Sequence, residues 1–166
     1  MVVMRRILLM VLLLLTGSTA ESRDLFGRLG LGYNAQFAQT GTAGGSPGIS
    51  LKYGFNPHTA LELIGGFYSG TGGNSVAALK IMQTMHSESY LNFYFLLGGG
   101  LVSTASTSGT EFLGGFGSEF FIPGIENLGI SFEAGVDIEN HTSTSGSFIL
   151  KSFGASFLNA GMHFYF

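Results

Sequence analysis

LGISFEAGVDIE, residues 128 to 139, sorts its side chains by parity. Leu128, Ile130, Phe132, Ala134, Val136 and Ile138 alternate with Gly129, Ser131, Glu133, Gly135, Asp137 and Glu139. Successive side chains of a β-strand point to opposite faces, so period two over this length reads as a strand with one apolar and one polar face. A helix would mix the two sets around its circumference. The remaining question is which face meets water.

Working outward, YLNFYFLLGGGL (90–101) repeats the pattern, with Leu91, Phe93, Phe95, Leu97 and Leu101 opposing Tyr90, Asn92, Tyr94 and Gly98. The same test predicts strands near 26–37, 47–55, 60–69, 75–84, 89–103, 111–122, 128–139 and 153–166. Their connections alternate in length. FNPHTA, MHSES and IPGIENL are short and carry the turn formers Pro57, Pro123, Gly124 and Asn127. QTGTAGGS, SGTGGN, STASTSGT and NHTSTSGSFILKS are longer and polar. Short turns at one end and long loops at the other are the pattern of an up-and-down transmembrane barrel.

Composition bears on the facing. Charged residues make up 10% of the chain, against roughly 25% in an ordinary soluble domain. Glycine accounts for 27 of 166 residues, more than twice its usual share of about 7%. The polar faces are mostly Gly, Ser, Asn and Ala rather than the charged side chains of a water-facing sheet. Small residues suit the narrow interior of an eight-stranded barrel, and Leu, Ile, Phe and Val suit lipid. Closure follows, because an open edge in hydrocarbon leaves costly unpaired N–H and C=O groups. The expectation is an all-β fold: an eight-stranded antiparallel up-and-down transmembrane β-barrel with short periplasmic turns and longer extracellular loops. Phe26, Tyr53, Phe55, Phe120, Phe164 and Phe166 would form an aromatic girdle near the turns. Phe37, Phe67, Phe112, Phe148 and Phe153 would form one near the loops.

The first residues read as a targeting segment. Arg5 and Arg6 precede the apolar run Ile7 to Leu15, which is too short to span a bilayer, and small Ser18 and Ala20 follow. This predicts a cleaved Sec signal peptide over 1–20, with the cut between Ala20 and Glu21, and a barrel domain over 21–166. The chain contains no cysteine, so disulfides, thiol chemistry and lipidation at cysteine are excluded. Beyond residue 20 the basic residues are Arg23, Arg28, Lys52, Lys80 and Lys151, too few and too scattered for a nucleic-acid surface.

On the predicted facing, Arg28, Lys52, Glu62, Lys80, Glu119, Glu133, Asp137 and His163 point into the lumen. Three cations (Arg28, Lys52, Lys80) balance three carboxylates (Glu62, Glu119, Glu133). Ions in a confined space must pair or stay hydrated. Two readings follow: a salt-bridge plug, favoured because eight strands leave little bore, and a narrow path for ions or small solutes.

Evidence for catalytic or metal chemistry is thin. His58, His86, His141 and His163 are dispersed, with His58 and His86 in predicted turns, so neither a metal nor any cofactor is expected. Gly98 to Gly100 lack the helix and lysine of a phosphate loop. His141 and Ser143 have the spacing of the pair used by barrel lipid A deacylases. No Asp or Glu follows Glu139, so the acid that would orient the base is missing. The enzyme reading is set aside on that ground.

The chain resembles the small eight-stranded bacterial outer-membrane proteins, the superfamily of the OmpA transmembrane domain and OmpX, over about residues 25–166. The likeness rests on the strand and loop pattern and on the end of the chain. Asn159, Gly161, Phe164 and Phe166 fill the places of the C-terminal signal that the barrel-assembly machinery reads in that group. The resemblance implies a Gram-negative outer membrane, contact with its lipid and lipopolysaccharide, escort by periplasmic chaperones, and no domain after the barrel. The function expected is that of a non-enzymatic integral barrel, structural or engaged in surface contact through Ser/Thr/Gly loops, mainly 140–152.

Overall fold

The structure, a computed structural model, describes residues 24–35, 48–69, 73–104, 108–141, 147–152 and 159–166. The predicted signal segment with Ala20 and Glu21, and also Phe37 and Phe153, lie outside these residues. Within them the chain forms β1 (Leu29–Asn34), β2 (Gly48–Asn56), β3 (Thr59–Tyr68), β4 (Asn74–Glu88), β5 (Leu91–Thr104), β6 (Ser108–Ile122), β7 (Ile125–His141), β8 (Ser147–Ser152) and β9 (Asn159–Tyr165). Each strand from β1 to β7 pairs antiparallel with the next, and β9 pairs with both β7 and β1. The ring is therefore closed.

β8 and β9 are two pieces of one eighth stave. β8 runs beside the loop end of β7, with Asp137 opposite Lys151, and β9 beside its turn end, with Gly129 opposite His163. The eight-stranded antiparallel barrel expected from the alternation is what the chain forms. Closure reaches the final residue: Phe166 N–H donates to the Leu29 carbonyl at 2.9 Å.

Several limits differ from the expected ones. β4 runs through MHSES to Glu88 and absorbs an irregularity between Thr84 and His86, so His86 sits in a strand and the turn is Ser89–Tyr90. Paired backbone groups along β5 carry the ladder past the weak polar alternation of that segment. β7 continues to His141, and Ser147–Ser152 pairs back upon it. The expected long loop 140–152 thus includes two strand ends, because a hairpin can prolong a ladder with Ser and Thr as readily as with apolar residues. At the opposite end β1 stops short, and Phe26 makes only an isolated bridge to Gly54.

The turns are tight. Asn56 Oδ1 accepts from His58 N–H at 2.9 Å, and Gly124 takes φ +87°, a left-handed conformation that glycine adopts without steric cost. Outward positions of β2 are Ile49, Leu51, Tyr53 and Phe55, all exposed, while Ser50 and Lys52 between them are buried. The same inversion runs around the wall: Phe67 is 80% exposed and Lys80 0%. Phe26, Tyr53, Phe55, Phe120, Phe164 and Phe166 all face outward near the turn end.

The interior is not uniformly polar. Ile64, Val76, Met82, Leu96, Val102 and Leu113 fill the side of the lumen lined by β3 to β6. Leu25, Phe121 and Tyr165 close its turn end. Buried charged side chains, Lys52, Glu62, Lys80, Glu119 and Glu133 among them, share the interior with these apolar groups.

Candidate functional site: the side chains inside the barrel

Period-two alternation sends one set of side chains inward from every stave, and the barrel's curvature brings them into contact. Lys80 of β4 is the hub. Its Nζ stands 2.7 Å from Glu133 Oε2 of β7 and 3.2 Å from Glu62 Oε2 of β3. Glu133 also accepts from Tyr94 Oη of β5 at 3.0 Å and from Asn159 Nδ2 of β9 at 2.9 Å. Asn159 donates to Asn34 Oδ1 as well, and Asn34 Nδ2 donates to Glu62 Oε1 at 2.9 Å. The chain of contacts thus returns to its start.

A second group lies beside it. Lys52 Nζ of β2 is 2.8 Å from Glu119 Oε2 of β6, and Glu119 Oε1 accepts from Tyr165 Oη at 2.6 Å. His163 of β9 joins the two groups. Its Nε2 is 3.3 Å from Glu62 Oε1 and hydrogen-bonded to Ser50 Oγ, and its Nδ1 is 4.0 Å from Glu119 Oε1. All eight staves contribute, and each of these ions is at most 3% exposed. A buried carboxylate is tolerated only with such partners, since desolvation of an unpaired ion costs several kcal/mol.

The eight lumen positions read from the sequence fall unequally. Lys52, Glu62, Lys80, Glu119, Glu133 and His163 meet in the network described. Asp137 is buried nearer the loop end, on β7 opposite Lys151 of β8. Arg28 lies at the turn-end rim, half-buried, where its Nη2 donates to Asn127 Oδ1 at 2.7 Å and its guanidinium lies over the ring of inward-facing Tyr165. Arg28 immediately precedes β1, and its carbonyl still accepts from Gly54 N–H at 3.3 Å. Glu111 and Glu139, opposite each other on β6 and β7, are buried as well.

Sequence reasoning missed Asn34, Ser50, Tyr94 and Glu111 as lumen partners. Parity was the available signal, since Ser50 is in phase with Lys52 and Glu111 with Glu119. Of the C-terminal signal residues, Asn159 and Gly161 face inward, and Phe164 and Phe166 outward with their rings 5.2 Å apart. His141 ends β7, while Thr142 and Ser143 lie outside the described residues. Among the described residues no group of three His, Asp or Glu side chains is arranged to hold a metal ion.

A closed antiparallel ring, apolar without and ion-paired within, defines a small up-and-down β-barrel. No protein-family model and no curated protein matches the chain. Among solved structures it is similar to the N-terminal β-barrel domain of Pseudomonas aeruginosa OprF, with a TM-score of 0.50 and 16% identity, over 84% of this chain and 96% of that one. The likeness is one of fold.

Proposed function

We propose that the protein is an integral outer-membrane β-barrel of a Gram-negative bacterium, without enzymatic activity and with a lumen sealed by its own side chains. One observation carries the reading: ions are inside and aromatic and aliphatic side chains outside, the reverse of a protein dissolved in water. An exposed apolar belt of this extent needs hydrocarbon to cover it. β4 to β7 have 15, 14, 15 and 17 residues, whereas about 9–11 suffice to cross the apolar slab, so their ends reach beyond it. Those strand ends and the segments between them are the surface available for contact outside the cell. On this reading the chain is exported by the Sec route, escorted by periplasmic chaperones and inserted by the barrel-assembly machinery.

The lumen network favours a plug over a pore. Lys80 and Lys52 are held between carboxylates from opposite walls, which places side chains across the bore. The test is fractionation followed by electrophoresis of cold and boiled samples, with planar-bilayer recording of the purified protein. An outer-membrane band that shifts on boiling, with no large stable conductance, is expected. Recovery from the soluble periplasm with one mobility would overturn the membrane reading, and a large steady conductance would overturn the plug.

A further inference from the structure

The outer wall carries a furrow near the loop end. Register sets Ser75, Ser103 and Ser108 side by side across β4, β5 and β6. The next outward row toward the turns is Ala77, Leu101 and Thr110, and the one after it Leu79, Gly99 and Phe112. Successive rows are about 7 Å apart, two residues of strand rise. The furrow exists because Ala77 and Gly99 put no bulk between larger neighbours. A Cβ on Gly99 would already stand 3.3 Å from the Phe112 ring. Its upper part is an open hollow of about 500 Å³ and its lower part a shallower one of about 380 Å³. Ala77, Leu101 and Thr110 line both parts, so they are continuous.

Polarity along the furrow is ordered. Hydroxyls occur at two depths, the serine row and then Thr110, and below them the lining is Leu63, Leu79 and Phe112. No lining residue is charged, so the furrow does not recognise a phosphate. An ordinary phospholipid chain is apolar below its single ester. The 3-hydroxyacyl chains of lipid A carry an amide or ester carbonyl at the sugar and a second oxygen farther down, before the apolar tail.

We propose that this furrow binds one 3-hydroxyacyl chain of lipid A, with the serine row donating to the carbonyl, Thr110 facing the 3-oxygen, and the tail lying over Ala77 and Gly99. The inference rests on the outer-membrane reading, in which the loop end faces the leaflet that holds lipid A.

Native mass spectrometry of the full-length protein, released from outer membranes in mild detergent, tests it by counting lipid A and phospholipid per barrel. Ala77→Phe fills the furrow. Ser75→Ala/Ser103→Ala/Ser108→Ala removes the hydroxyls without adding bulk, in case the first variant folds poorly. Cold-gel mobility establishes which variants fold. The wild type should retain lipid A, and folded variants about tenfold less. Equal retention by folded variants, retention of phospholipid in its place, or a wild-type dimer that Ala77→Phe separates would each overturn the proposal. A membrane-inserted barrel without lipid A defeats this inference alone, whereas a protein absent from the outer membrane defeats the functional reading with it.

Discussion

Lys80 shows why position matters more than count for a charged residue. Its ammonium lies between Glu62 and Glu133 with no exposure to solvent, so each carboxylate depends on it. Lys80→Met should destabilise the folded barrel by about 3–5 kcal/mol, the range for breaking a buried pair by removing one partner. Adding Glu62→Gln and Glu133→Gln to the same chain should recover most of that loss, because the buried charge then disappears with its partner. Urea unfolding of the vesicle-inserted protein, followed by cold-gel mobility, measures both. Gly117 illustrates a subtler dependence. A Cβ there would stand 2.5 Å from the Tyr94 ring, whose hydroxyl donates to Glu133. Gly117→Ala should therefore displace Tyr94 and cost about 1–3 kcal/mol through the lost hydrogen bond, in the same assay. Parity makes Gly117 an inward residue in the sequence, but the ring it accommodates comes from β5 and is visible only after pairing.

At the scale of the element, β9 joins two tasks. Its backbone seals β7 to β1, and its alternate residues divide between network and belt. Asn159 bridges Asn34 and Glu133, while Phe164 and Phe166 pack edge to face outside. Deleting Phe166, or appending charged residues after it, should lower the yield of inserted barrel in cells more than it lowers the stability of barrels already folded. Comparison of outer-membrane yield with refolding in vesicles separates the two effects, and normal cellular assembly of the deletion would remove the addressing role. Existence and alternation of most elements were legible beforehand, as in β5 and β7. Their ends were not: β7 and β8 lengthen each other through backbone pairing that Asn140 and Ser147 allow but do not announce.

Across the whole molecule, the two faces of the wall should respond oppositely to charge. Leu97 faces outward from the middle of β5, between Ile81 and Gly114. Leu97→Arg should cost about 2–4 kcal/mol in a bilayer, the depth-dependent range for a cation at mid-membrane. The same substitution on a wall facing water would be nearly neutral, so unfolding in vesicles also tests the location. Period two, sparse charge and alternating loop lengths were enough to establish a closed eight-stranded barrel and its facing, because strand geometry ties parity to side and hydrocarbon forbids an open edge. The partners across the lumen were a different matter. Lys80 meets Glu133, and Lys52 meets Glu119, across spans of chain that no local pattern encodes. Their meeting depends on stagger and curvature, which arise only when all the ladders close together. Asn34, Ser50 and Tyr94 entered the network for that reason.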